Sequence, residues 1–263
     1  MVHFVGAGPG APDLITQRGA ALLQTADCII YAGSLVNPAL LGLAKADCTI
    51  YNSAEMTLEQ VLAVMRKNEA AHKTTVRLHT GDPCLYGAIQ EQMDALDARG
   101  VDYEVVPGVS SFCGAAAALR QEYTLPGISQ SVVITRLSGR TPMPAGEGMR
   151  TMAESGSTMV IFLSSGMLAE LSAELLAAGR SSDEPAALVY KATWPEERVV
   201  RCTVGTLADA GAREGIDRTA LVVVGRVLGA RGGLAYDGVQ AESYERSKLY
   251  DPSFATGYRK ASS

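Results

Sequence analysis

The chain has 263 residues, 23 Lys or Arg against 28 Asp or Glu, and a formal net charge of −5. With 47% hydrophobic and 19% charged residues it can bury a sizeable core, as one large or two small domains, and is not a disordered polyelectrolyte. The acidic balance gives no field for nucleic acid or an anionic membrane, no apolar run approaches the ~18 residues of a span, and MVHFVGAGPG lacks the regions of a signal peptide; the expectation is a cytoplasmic protein without nucleic-acid or membrane partners.

Short β-branched runs alternate with Ala/Leu-rich helical stretches, the pattern of α/β units around a largely parallel sheet. Strands are predicted at 2–5, 28–31, 49–51, 75–79 and 103–106. Helices are predicted at 16–25, at 57–71 with Thr57 and Gln60 spaced as a capping box, at 90–99 stopped by Gly100, and opening in PGVSSFCGAAAALR. QEYTLPGISQ (121–130) reads as a linker, and a second series follows: strands at 131–136, 159–163, 186–190, 197–204 and 219–227, and a helix at 167–178. The expected organisation is two α/β domains, 1–119 and 120–231, and a tail at 232–263 that is poor in apolar residues.

Five cysteines, Cys28, Cys48, Cys84, Cys113 and Cys202, lie far apart without a CxxC, so reduced structural thiols are expected rather than a zinc ribbon or a disulfide framework. With only His3, His72 and His79, no protein-bound metal is expected. His79 reads as strand packing, and Trp194 as a cleft wall or a packed aromatic.

The 27 glycines exceed the share expected at ~7% of a chain. Several fall in three loops that each follow a predicted strand: GAGPGAPDLIT from Gly6, LHTGDPCLYG from Leu78 and VVPGVSSFCG from Val105. Strands of a parallel sheet would bring such loops to one edge, where open α/β sheets bind ligands. Gly6, Gly8 and Ala11 formally match a dinucleotide-binding G-x-G-x-x-G/A turn. Three features oppose that reading: Pro9 has no N–H to offer a pyrophosphate, Pro12 and Asp13 delay the helix, and CIIYAGS ends without a ribose-binding acid. In the second loop Asp82 is an acceptor or a helix cap; in the third, Ser110 and Ser111 bind a ligand or cap the helix.

These loops, in this order and spacing, resemble the S-adenosylmethionine-dependent tetrapyrrole methyltransferases of corrin and siroheme synthesis, and the likeness continues through LPGISQSVVITRLSGRTPMP, MVIFLSSG, PAALVYKATWPEERVVRCTVGTL and TALVVVGRVLG. The resemblance implies two α/β domains with a cofactor and substrate cleft between them, not the Rossmann-type methyltransferase fold, and a homodimer. It places adenosylmethionine contacts on Pro9, Gly81, Asp82, Leu85, Ser110, Ser111, Leu163 and Ala192, and turns Gly8 and Gly10 toward a flat macrocycle, whose close approach would explain the glycines.

YAGSLVNP lacks the acid of the uroporphyrinogen-III branch and, with ISQSVVITRLSGRTPMP, is most similar to the branch acting at C11 of precorrin-4 or cobalt-precorrin-4. The alternatives are methylation at another precorrin carbon and a non-catalytic tetrapyrrole-binding protein. A sulfonium methyl is already activated, so the transfer chiefly needs alignment and exclusion of water, and no acid/base constellation stands out. A substrate rich in carboxylates needs local arginines; Arg136 and Arg140 are the candidates, ahead of Arg120 and Lys191.

Overall fold

The computed structural model describes residues 1–230, 244–245 and 247–261. The chain divides into two compact units, Met1–Ala115 with Lys191–Glu197, and Ala116–Tyr190 with Arg198–Ser263.

The first unit is built on five parallel strands, β1 (Val2–Gly6), β2 (Cys28–Tyr31), β3 (Thr49–Asn52), β4 (Thr75–His79) and β5 (Tyr103–Val106), in the order β3-β2-β4-β1-β5. Between them run α1 (Gln17–Thr25), α2 (Leu58–Ala70) and α3 (Gln90–Asp97), and α4 (Ser111–Leu119) follows β5. Every residue of β1 and β4 is buried, as central strands covered on both faces require. On one face Val5, Ile29, Val76, Leu78 and Val106 pack with Leu23 of α1; on the other Val2, Phe4 and Ile30 pack with Val61 and Met65 of α2 and Leu96 of α3. Local side chains set the starts of α1 and α2. Thr16 accepts from the Gly19 amide, and Thr57 and Gln60 form the reciprocal capping box, leaving fewer orphan amides in each first turn.

The strands that carry the three glycine loops are neighbours, β4-β1-β5, and all point the same way. Their carboxyl ends therefore deliver the loops to one edge, as the pattern predicts.

The second unit departs from the expected parallel arrangement. Its strands β6 (Val132–Arg136), β7 (Thr158–Phe162), β8 (Pro185–Tyr190), β9 (Arg198–Thr203) and β10 (Ala220–Val224) lie in the order β6-β7-β10-β8-β9. Only β6 and β7 are parallel; β10 runs antiparallel to β7 and β8, and β8 to β9. For β8 and β9 the reason is length: Lys191–Glu197 joins them and is too short for a crossover helix, so a hairpin results. Met159, Ile161, Leu188, Val222 and Val224 from the sheet pack with Leu171 and Leu175 of α6 (Leu168–Ala177).

Two helices not anticipated, α5 (Met149–Ala153) and α7 (Leu207–Glu214), complete that core through Met149 and Leu207. Arg180 and Glu184 form a buried ion pair at 2.6 Å, and Arg180 also donates to the carbonyls of Ala153 and Ser157. The segment read as a linker, 121–130, is packed within this unit: Tyr123 and Leu125 are buried, and the Tyr123 carbonyl accepts from the Thr158 hydroxyl at 2.8 Å.

The tail expected at 232–263 falls partly outside the described residues, at 232–243, 246, 262 and 263. Glu245 donates its amide to the Pro126 carbonyl at 3.1 Å. All five cysteines are free thiols, and burial pushes Cys28 and Cys202 up to about 11, which suits a structural role.

Candidate functional site

The three loops of the first unit are fastened to one another through backbone. Gly8 and Gly81 exchange two hydrogen bonds, Gly8 N–H to Gly81 O at 3.2 Å and Gly81 N–H to Gly8 O at 2.9 Å, while the Ala7 amide donates to the His79 carbonyl at 2.7 Å. A Cβ on Gly6 would stand 2.5 Å from Gly108 Cα and 2.6 Å from Gly81 O, and one on Gly108 would overlap that same carbonyl oxygen. Asp82 adds the polar clasp: Oδ1 accepts from the Cys84 amide at 2.8 Å and Oδ2 from the Gly108 amide at 2.9 Å. Burial raises the Asp82 pKa, but the hydrogen bonds from Cys84 and Gly108 outweigh it and hold the carboxyl below its ordinary value.

Asp82 therefore does not cap the next helix. That helix, α3, begins eight residues later, and its N-cap is Ile89, without a side-chain bond. Nor do the serines cap α4 with their side chains. The Ser110 carbonyl accepts from the amides of Cys113 and Gly114, while neither the Ser110 nor the Ser111 hydroxyl makes a hydrogen bond among the described residues. Two hydroxyls stay available beside Gly81, whose Cβ position lies 3.5 Å from Ser110 Cα and Ser111 N.

The first loop is held from two further sides. Asn37 donates its side-chain amide to the Gly10 carbonyl at 2.8 Å, and the Thr193 hydroxyl accepts from the Ala11 amide at 2.9 Å. The Trp194 ring occupies the place that a side chain on Gly10 would need, with the buried Ala192 carbonyl 2.9 Å from the same point. Pro9, like Gly8 and Gly10, is buried, and it packs beside Gly114 with Thr193. Pro12–Leu14 is a 3-10 turn and α1 starts only at Gln17, which separates the glycines from any helix N-terminus as Pro12 and Asp13 predict. Thus Gly6, Gly10 and Gly108 are required by contacts within the protein, whereas close approach of a flat ring was expected to explain the glycines.

The segment Lys191–Glu197 that supplies Ala192, Thr193 and Trp194 is unusual backbone. Lys191 and Thr193 adopt φ of 45° and 68°, and Thr193 N–H donates to Glu197 Oε2 at 2.6 Å. Lys191 pairs with Glu196 at 3.1 Å and lies 5.3 Å above the Trp194 ring. Left-handed conformations cost β-branched residues about 1–3 kcal/mol, so this tip is a shaped device rather than a relaxed turn.

In the second loop Leu85 is half-buried, with its amide on the Asp82 carbonyl at 3.3 Å. Tyr86 and Ala88 have positive φ, and Gly87 is pressed against the Pro83 carbonyl. His79, just before this loop, is buried and stacks on Phe4 at 6.2 Å; burial, then the nearby Arg77, pushes its pKa down to about 3. It is neutral at physiological pH and serves packing.

In the second unit, Leu163 is 63% exposed and has φ of 52°, two liabilities for a large apolar residue at a strand end. The next residue enforces them. Buried Ser164 accepts from the Leu137 amide at 2.8 Å and donates to the Phe162 carbonyl at 2.7 Å, so the ends of β6 and β7 are tied and Leu163 is left outward.

Arg136 and Arg140 part company. The Arg136 guanidinium donates to the carbonyls of Leu137, Thr141 and Pro142, shaping its own loop, while Arg140 is exposed and makes no hydrogen bond or ion pair among the described residues. Asn37 and Thr193 were not singled out by the sequence pattern. Asn37 stands inside the quoted YAGSLVNP and Thr193 beside Ala192, so neighbourhood to the matched motifs was the only signal. Among the described residues no group of three or more His, Cys, Asp or Glu could hold a metal ion, and no helix is long and apolar enough to cross a membrane.

A family model described as Tetrapyrrole (Corrin/Porphyrin) Methylases matches residues 1–208. The chain is 48% identical over 260 residues to the cobalt-precorrin-4 C(11)-methyltransferase of Methanocaldococcus jannaschii, covering 99% of this chain and 96% of that protein. Among solved structures it is similar to a cobalt precorrin-4 methyltransferase of cobalamin biosynthesis, with a TM-score of 0.85, 45% identity, and 86% and 95% of the two chains covered. It is also similar to the uroporphyrin-III C-methyltransferase from Thermus thermophilus complexed with S-adenosylhomocysteine, with a TM-score of 0.72, 29% identity, and 86% and 98% covered. The order of the three loops, their mutual clasp and a match over most of its length together place the chain in the tetrapyrrole (corrin/porphyrin) methylase family.

Proposed function

We propose that the protein transfers a methyl group from S-adenosylmethionine to C11 of precorrin-4 or cobalt-precorrin-4 in corrin synthesis. The observation that carries the reading is the clasped edge of the first unit: three loops fixed by Gly8–Gly81 and Asp82–Gly108 bonds, with two serine hydroxyls left without partners, in a chain 48% identical to a named C11-methyltransferase. The residues present fit adenosylmethionine. Ser110 and Ser111 can bond its polar groups, Leu85 offers apolar surface, and the left-handed Gly81 leaves room beside the two serines; Leu163 of the second unit is an assigned apolar contact. Pro9, Asp82 and Ala192 complete the assigned contacts, Asp82 by shaping the loop through its clasp.

When bound, adenosylmethionine supplies a methyl group already activated on its sulfonium. The protein's own work is to orient the two reactants in line and to exclude water, which alone is worth several powers of ten in rate. The rigid backing of the first loop by Asn37, Thr193 and Trp194 supports that task, with Gly8 assigned to the macrocycle side and Gly10, covered by Trp194, to the packing that holds the loop. His79, buried and neutral, is not assigned as a base. Arg140, exposed and free of internal bonds, is assigned to a substrate carboxylate, and Arg136 to holding the loop that presents it. The family likeness also supports a homodimer, which light scattering checks; the net charge of −5 supports a cytoplasmic protein without nucleic-acid partners.

The test is incubation with precorrin-4 or its cobalt form and isotopically labelled adenosylmethionine, followed by NMR location of the label. Label at C11 is expected; label at another ring carbon keeps the methyltransferase and overturns the position. Binding without transfer would instead leave a non-catalytic tetrapyrrole-binding protein.

A further inference from the structure

In the first unit a charge sits where none is expected. Arg77 lies mid-way along the fully buried central strand β4, 7% exposed, and makes no ion pair among the described residues. Burial pushes its pKa down to about 10, yet it remains a cation at neutral pH. A buried cation without a carboxylate is costly and persists where the surrounding structure makes use of it.

Its hydrogen bonds show the use. Nη1 donates to the Ile30 carbonyl of the neighbouring strand at 3.1 Å, and Nε donates to Gln92 Oε1 at 3.2 Å. The latter contact fixes which way the Gln92 amide faces, since the oxygen is taken by a pure donor. Gln92 Nε2 is thereby turned to the Ala88 carbonyl, to which it donates at 2.9 Å. Ala88 is the residue at φ of 48°, the last of the strained positions in the second loop. The loop is thus pinned at its start by Asp82 and at its end by a side-chain relay running from the core.

We propose that Arg77 and Gln92 are positioning residues for the cofactor: the relay Arg77–Gln92–Ala88 holds the second loop in its strained form and so sets the affinity for adenosylmethionine. This rests on the assignment of that loop to the cofactor made above. A mere packing role predicts that stability and affinity change together. The relay predicts that they separate in Gln92→Glu, which keeps the acceptor for Arg77 and gives the cation a partner but has no N–H for Ala88.

The experiment measures thermal unfolding, adenosylhomocysteine binding by calorimetry and hydrogen exchange of the peptide spanning 83–89 in wild type, Gln92→Glu and Gln92→Met. Expected for Gln92→Glu are an unchanged or raised melting temperature, binding weaker by about tenfold, as loss of one hydrogen bond predicts, and faster exchange in that peptide. Gln92→Met is expected to lose stability as well. Unchanged binding and exchange in Gln92→Glu would overturn the relay, as would a fall in its melting temperature parallel to its affinity. If wild type itself ignores adenosylhomocysteine, the assignment of the loop fails, and the exchange rates still decide whether the relay holds it.

Discussion

The Gly108 amide donates to Asp82 Oδ2 at 2.9 Å, joining loops 26 positions apart in sequence through one carboxylate oxygen. The other oxygen serves the Cys84 amide, so neither can be removed without releasing a backbone N–H. Asp82→Asn keeps one acceptor and should cost about 1–3 kcal/mol of stability, together with adenosylhomocysteine affinity. Denaturant titration and calorimetry read both.

The same carboxylate gives a pH signature. Its pKa is below its ordinary value in the folded protein, so its contribution is fully present above the unfolded value near 3.8 and is lost as pH falls through the folded value. The stability gap between wild type and Asp82→Asn should therefore stay constant near neutrality and narrow on acidification below about pH 4. A gap independent of pH down to the acid transition would contradict this. The hydrogen bond to Asp82, then burial, raises the Cys84 thiol, so alkylation of Cys84 near neutral pH should speed up in the variant, as peptide mass spectrometry would show.

Trp194 is the single tryptophan, and it covers Gly10. Gly10→Ala should displace the ring, shift the intrinsic fluorescence and destabilise by about 1–3 kcal/mol. Adding Trp194→Ala should recover part of that stability, because the overlap is with the indole as well as with the Ala192 carbonyl. Additive losses would show that the two residues do not meet.

The glycines sort by what surrounds them. Gly108→Ala meets backbone that cannot yield and should exceed ordinary overpacking, losing about 3 kcal/mol or failing to fold, whereas Gly42→Ala, with nothing within 4 Å, should be neutral or gain up to about 1 kcal/mol. Chemical denaturation of the pair checks the contrast.

Arg140→Ala should weaken tetrapyrrole binding about tenfold or more with adenosylhomocysteine affinity and melting temperature intact. Arg136→Ala should lower the melting temperature first, because three carbonyls lose their donor. Equal loss of both ligands in Arg140→Ala would remove it from the substrate side.

Local chemistry was readable from the sequence. The capping box at Thr57, the strand ending at His79 and the delayed α1 each follow from residues within a few positions. Convergence of the loops followed from strand direction. What was hidden depends on partners distant in the chain: why Gly10 is glycine is answered by Trp194, and what Asp82 does is answered by Gly108. The antiparallel second sheet was masked because apolar runs do not state direction. The helix α5 is short, and α7 carries Gly211, packed under Leu168, where a helix former is expected. Arg77, a charge centred in the apolar strand TVRLH, is the one local mark of the relay in the sequence.

The tip Lys191–Glu197 belongs with the first unit although it is encoded between two strands of the second. A gene fragment stopped at 119 would leave the Ala11 amide without its acceptor and Gly10 without its cover, so it would make an incomplete module. Recombination at that boundary would exchange the first loop's supports along with the second unit, tying the two halves into one inherited piece.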